Sequence, residues 1–190
     1  MRIVGGTHRG VPLIAPAGQD TRPTTDRMRE TVANIILARM DFDLSDLTVL
    51  DAFAGSGAMG LELLSRGAAH AILCEKDEAA LGAIEKNITK VREVSATTVY
   101  RGDVQRFAEM VPARVVDVVY LDPPYRVPTS EVASLITKLS EHHLAVGALI
   151  VYEHAGKDDP LELERFETVR SKRYGTTLLD VLKYSGSEVG

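Results

Sequence analysis

The sequence predicts an α/β fold of the doubly wound, Rossmann-like kind with a mostly parallel sheet, and three observations carry that expectation. From Thr48 onward short β-rich runs alternate with segments of helical periodicity, the pattern of a parallel sheet covered by helices on both faces. The first run leads into a glycine-rich turn, Gly55-Ser56-Gly57-Ala58-Met59-Gly60, which opens a helix. Carboxylates stand at the ends of four successive runs, at Asp51, Glu75, Asp103 and Asp122.

Taken in order, residues 1 to about 25 are rich in glycine, proline and threonine, with short apolar runs Met1–Val4 and Val11–Ala15 on either side of Gly5–Gly10. This reads as a β-hairpin arm with too few apolar residues to fold alone. Residues 26–190 form the main domain, beginning with a helix capped by Thr25 or Asp26 and running to about Met40. Met28, Val32, Ile35, Ile36 and Met40 share its apolar face, and Arg27, Arg29 and Glu30 its polar side. Strands are expected at Val49–Phe53, His70–Glu75, Thr97–Arg101, Val115–Leu121 and Ala148–His154. Helices fill the gaps at Met59–Arg66, Glu78–Val91, Val104–Met110 and Ser130–His142. The final runs, Glu167–Arg173 and Thr177–Tyr184, leave no room for a crossover helix and so predict an antiparallel hairpin.

Composition excludes several classes. No apolar run reaches the roughly 18–20 residues that span a bilayer, and Met1–Gly6 opens no secretory signal, so a cytoplasmic location without membrane partners is expected. The single cysteine, Cys74, rules out an internal disulfide, and five histidines without ligand spacing predict no metal. Net charge is −5, but it is polarised. Residues 1–40 hold six arginines against three carboxylates, while the remainder carries 16 basic and 24 acidic residues. Arginine's planar fork suits phosphate and stacks on bases.

The glycine turn permits close backbone approach to a ligand at a helix start. Its spacing also occurs in dinucleotide sites, but a carboxylate at Asp51 would repel a pyrophosphate and accept from a cationic, amine-bearing ligand. S-adenosylmethionine has that character. Glu75, at the second strand tip, is placed to accept ribose hydroxyls, and Asp103, at the third, the adenine amine. After the fourth strand comes Asp122-Pro123-Pro124-Tyr125. Two prolines cannot continue a ladder, so an acid, free carbonyls and an aromatic ring are left at the cleft, a set that suits a planar amine. The motif chemistry alone does not separate guanine N2 from adenine N6 or cytosine N4.

Three sequence blocks then fall into one pattern: Arg2-Ile3-Val4-Gly5-Gly6 with Arg9-Gly10; Thr21 to Glu30; and Asp51 to Gly57 with Ser65-Arg66-Gly67-Ala68. Together with Asp-Pro-Pro-Tyr they resemble the bacterial RsmD family of class I S-adenosylmethionine-dependent methyltransferases, from residue 2 to about Tyr184. The resemblance implies methyl transfer to the N2 amine of one guanine in 16S ribosomal RNA, with S-adenosylhomocysteine as product. It implies Asp122, Pro123, Pro124 and Tyr125 as the catalytic set. Cofactor contacts fall on Asp51, Phe53, Gly55, Ser56, Gly57, Met59, Glu75, Lys76, Asp103 and Val104, with Thr24 and Arg27 at the helix entrance. RNA contacts fall on Arg2, His8, Arg9, Arg22 and Arg29, the partner being 16S rRNA within a small-subunit particle or assembly intermediate. Tyr125 departs from the phenylalanine of many members, and both rings stack. Nothing between Thr129 and Glu164 matches a family signature.

Two other classes fit parts of the pattern. A methyltransferase of protein glutamine would carry Asn where Asp122 stands, and one of DNA adenine would bring a larger target-recognition insertion. A non-catalytic RNA-binding or assembly module would retain the fold without needing Asp122 or Gly55-Ser56-Gly57 intact.

Overall fold

The computed structural model describes residues 1–16, 25–155, 161 and 163–186. Helix α1 spans Asp26–Arg39, and the Thr25 side chain caps it by accepting from the Met28 amide at 3.2 Å. There follow β1 (Thr48–Asp51), α2 (Ala58–Ser65), β2 (His70–Glu75), α3 (Glu78–Val91), β3 (Thr97–Arg101) and α4 (Val104–Phe107). The second half contains β4 (Val116–Leu121), α5 (Thr129–His142), β5 (Leu144–Ala155), β6 (Phe166–Tyr174) and β7 (Thr177–Tyr184).

The seven strands form one sheet in the order β3-β2-β1-β4-β5-β7-β6. The five strands from β3 to β5 pair in parallel, and β7 runs antiparallel to both β5 and β6. This is a Rossmann-like, doubly wound arrangement, with the expected antiparallel hairpin closing one edge. Successive strand residues alternate between two cores: Val49, Val118, Val151 and Val181 pack with α1, α2 and α3, while Leu50, Val119, Ile150 and Leu182 pack with α5. Order reverses between β1 and β4, which puts the ligand crevice at their carboxyl ends.

Three boundaries differ from the sequence expectation by more than one residue. β1 stops at Asp51, not Phe53, because the chain turns into the loop where Gly55 adopts φ +54°. α4 is shorter than expected, ending at Phe107, where Met110 N–H folds back onto the Phe107 carbonyl. β5 is longer, because Val116 pairs with Leu144 before a register shift that Gly147 accommodates at φ +87°.

The amino-terminal segment forms the expected hairpin, with an antiparallel bridge between Arg2 and Pro12, the Ile3 amide donating to the Val11 carbonyl and the Gly10 amide to the Ile3 carbonyl. It does not project from the domain. Ile3 and Leu13 enter the same core as α1 and α2. Among the described residues no helix is long and apolar enough to cross a membrane.

Candidate active site

The docked arm is held by a buried carboxylate that the sequence gives no reason to single out. Glu62, fully buried on α2, accepts from the Val4 amide at 2.7 Å, the Gly5 amide at 2.9 Å and Arg66 Nε at 2.8 Å. Ser65 adds four bonds: its carbonyl accepts from Thr7 N–H and the Thr7 hydroxyl, and its hydroxyl accepts from His8 N–H and donates to the Gly5 carbonyl. Gly6 sits at φ +75°, and a Cβ there would lie 1.8 Å from the Ser65 carbonyl oxygen. Buried Asn87 of α3 completes the attachment, bonding Ile14 through both its amide groups and also donating to the Ser56 carbonyl at 2.9 Å. The arm, α2, α3 and the glycine loop are thus one construction.

The loop itself turns on Gly55 and Gly57, both with positive φ, and Gly57 is the N-cap residue of α2. A Cβ on Gly55 would meet nothing within 4 Å, so its outer face is open, whereas one on Gly60 would strike Leu73 at 2.3 Å. Gly60 is therefore a packing glycine. Its amide donates to Asp51 Oδ2 at 3.1 Å, and Asp51 is buried beneath the loop at 3% exposure. Burial pushes the Asp51 carboxyl up to about 7, with Asp122 and Glu75 adding like charge against the Gly60 bond. Where the sequence suggests that Asp51 points at a ligand, the structure has its Oδ2 bracing the loop from below.

Glu75 fastens the loop from the side, accepting from the Gly55 amide at 2.8 Å through one oxygen and from Lys76 and Asp77 amides through the other. Asp103 caps α4 by accepting from Gln105 N–H, and it pairs with Lys76 at 2.7 Å. Those two contacts hold its carboxyl below the usual range. Phe53 is half-buried, while Ser56, Met59 and Val104 are buried. The glycine loop thus keeps an open face at Gly55, with Glu75 bonded to it from the side and Asp51 beneath it. Cys74 lies behind this rim, 1% exposed, with burial pushing its thiol up, which suits a packed hydrophobe.

At the end of β4 the Asp-Pro-Pro-Tyr segment leaves the sheet, and Tyr125 stands 83% exposed. It borders a pocket of about 260 Å³ lined by Asp122, Pro123, Pro124, Tyr152, Glu153 and the Tyr174-Gly175-Thr176 turn of the terminal hairpin, among others. Glu153 and its surroundings carry no signature in the sequence. Glu153 is buried, and Tyr120 Oη donates to its Oε1 at 2.7 Å. Burial and the neighbouring Asp122 push the Glu153 carboxyl up to about 7, and burial with the same acids holds the Tyr120 phenol well above its ordinary range. On the other sheet face His154 stacks on Tyr152 at 4.4 Å and pairs with Asp180 at 2.9 Å.

The arginines divide. The sequence expectation for Arg29 is corrected: it is 1% exposed, donating to the Arg2 carbonyl at 2.6 Å and to Asp26 at 2.7 Å, so it joins α1 to the arm and is not presented to RNA. Its long side chain reaches inward past a helix face that periodicity assigns to solvent. Arg9 and Arg27 are exposed, and Arg2 pairs with Asp26 at 3.3 Å while 66% exposed. The His8 ring is engaged with Glu93 at 2.6 Å, docking the arm just past the carboxyl end of α3. Arg22 and Thr24 lie outside the described residues. Among the described residues no group of three or more His, Cys, Asp or Glu side chains could hold a metal ion.

The family model described as "Conserved hypothetical protein 95" matches residues 1–183. The chain belongs to this family, of the RsmD type. Within it, YlbH of Bacillus subtilis, a candidate rRNA methyltransferase, is 34% identical over 195 residues, covering 98% of this chain and all of YlbH. The ribosomal RNA small subunit methyltransferase D of Escherichia coli is 40% identical over 126 residues, 66% of this chain and 61% of that protein. Among solved structures, the candidate methyltransferase yhhF of Escherichia coli aligns with a TM-score of 0.85 at 32% identity, covering 98% of this chain and 99% of that one. The family match reaches back to residue 1, in keeping with an arm built into the RsmD-type domain through Glu62 and Asn87.

Proposed function

We propose that this chain transfers the methyl group of S-adenosylmethionine to the exocyclic N2 of a guanine in small-subunit ribosomal RNA, presented within a small-subunit particle or assembly intermediate. Membership in the RsmD type, with relatives named for rRNA methylation, supports the coarser activity of an rRNA methyltransferase. One observation carries the finer reading: an exposed aromatic ring and a half-buried carboxylate share a pocket at the end of β4, next to the strand that bears the glycine loop.

The cofactor would lie along Gly55 and Gly57, with Glu75 towards the ribose and Asp103 towards the adenine, and supplies an electrophilic methyl on a sulfonium. Acids around the crevice favour that cation. Guanine N2 is a weak nucleophile because its lone pair is delocalised into the ring. Asp122 and the Pro123 carbonyl accept its two hydrogens and so favour rehybridisation, while Tyr125 stacks on the extruded base. The N2 lone pair forms the N–C bond as the C–S bond breaks, its electron pair returning to sulfur, and the aminium loses one proton to water. Arg2 and Arg9, exposed on the docked arm, would contact phosphates and so offset the cost of extruding the base.

Asp122→Ala tests this directly. Calorimetry should show S-adenosylmethionine binding retained, while transfer of labelled methyl to rRNA falls by about a hundredfold or more. Retained transfer would overturn the role given to Asp122. Mass spectrometry of rRNA nucleosides from cells lacking the protein should show N2-methylguanosine missing from one position; an unchanged nucleoside profile would refute the assignment.

A further inference from the structure

We propose that Glu153 is the residue that makes the pocket specific for guanine, by accepting a hydrogen bond from the base N1–H while Asp122 accepts from N2. This rests on the proposed guanine-N2 reaction and adds to it a determinant that the Asp-Pro-Pro-Tyr segment lacks.

Strand register brings the two acids together. β4 and β5 are parallel neighbours with Leu121 opposite Tyr152, so the next residues, Asp122 and Glu153, stand side by side on one sheet face and line one pocket. Adjacent strands are about 4.8 Å apart, so two carboxyl groups project as a matched pair of acceptors. Val118, Tyr120, Leu149 and Val151 precede them on this face inside the core, so Glu153 is the point where an apolar face turns polar. Tyr120 Oη donates to Glu153 Oε1 at 2.7 Å, which fixes the carboxyl plane. Among the described residues Oε1 carries the hydrogen bond of this carboxyl, from Tyr120, and Glu153 lines the pocket.

With one oxygen held by the Tyr120 hydroxyl, the other is the atom of Glu153 placed to accept a donor from a ligand in the pocket. Of the amine-bearing bases only guanine offers one beside its amine: its Watson–Crick edge presents N1–H next to N2–H₂. Adenine N1 and cytosine N3 stand beside their amines as lone-pair acceptors, which an ionised Glu153 repels, whereas the guanine N1–H donates to that ionised form and favours it. Glu153 therefore decides between bases that Asp122, the Pro123 carbonyl and Tyr125 treat alike.

The test uses small-subunit particles carrying either guanosine or 2-aminopurine riboside at the methylated position. The analogue keeps the N2 amine but has a lone pair at N1. Wild-type protein should prefer the guanosine particle in kcat/KM. Glu153→Gln keeps an oxygen for the Tyr120 hydroxyl and turns an amide donor towards the base, so the ratio of the two rates should move towards 2-aminopurine by about 10- to 100-fold. Comparing ratios cancels whatever the analogue changes in nucleophilicity. An equal loss on both particles would mean that Glu153 only supports the fold, and would overturn the proposal. If Glu153→Gln does not accumulate as folded protein, Glu153→Asp serves instead: the acceptor is retained, so the guanosine preference should persist at reduced kcat/KM, and its disappearance would count against the idea. Wild-type protein that methylates neither particle would instead refute the guanine-N2 reaction itself.

Discussion

Replacing Glu62 by glutamine is the sharpest test of the claim that the arm is part of the domain. The carboxylate is fully buried and accepts three hydrogen bonds, two from backbone amides 58 and 57 residues away and one from Arg66, whose side chain is 10% exposed. Glutamine has nearly the same shape but a single acceptor oxygen. One of the Val4 or Gly5 amides would then face an NH₂ group, and Arg66 would lose its counter-charge. A hydrogen bond to a charged group contributes about 1.5–3 kcal/mol, and breaking one side of a buried ion pair costs about 3–5 kcal/mol. The expected loss is therefore about 3–5 kcal/mol, with a fall in melting temperature of about 6–20 °C at this chain length. Calorimetric melting provides the measurement, and limited trypsin digestion at Arg9 should become faster as the arm loosens. A variant that melts within about 2 °C of wild type, with unchanged cleavage at Arg9, would refute the claim that Glu62 anchors the arm.

Three further outcomes are expected. Asp51 is held at about 7 in the fold against an ordinary 3.8, so between those values the folded protein binds the extra proton and stability falls as pH rises. Asp51→Asn removes this dependence: measured by denaturant unfolding of ligand-free protein, its stability relative to wild type should improve by about 2–3 kcal/mol on going from pH 5 to pH 8, and a constant difference would contradict the buried charge. Gly6→Ala should cost at least about 2 kcal/mol, because strain at φ +75° adds to collision with the Ser65 carbonyl, whereas Gly10→Ala, at φ +88° with nothing within 4 Å, should cost about 1 kcal/mol; equal losses in thermal melts would reject the close approach of the arm to α2. Replacing Arg2 and Arg9 together by glutamine should lower the slope of log K for RNA against log salt by about 0.7–0.9 for each phosphate that is no longer neutralised, and an unchanged slope in titrations would remove the arm from the RNA interface.

What the sequence alone determined was local in origin. Strand and helix order, the turn at Gly55-Ser56-Gly57, the acids at or just past the ends of the first four strands and the break at Pro123-Pro124 all follow from periodicity or backbone restriction within a few residues, and the sheet forms as those patterns require. The resemblance of Arg2–Gly6 and Ser65–Ala68 to one family is also visible there, but not its cause. Only the tertiary structure shows that these blocks touch, through Gly6 against Ser65 and through Glu62 beneath Val4 and Gly5. Glu62 and Glu153 each appear in the sequence as one acid within an apolar run, a signal present but mute until the partners are known. Arg29 reads as solvated by helical spacing and is buried because the arm folds over it. In each case a charge inside the protein is tolerated only where distant backbone amides, carbonyls or a phenol meet it, and such meetings are fixed by the packing of the whole chain, not by any stretch of it.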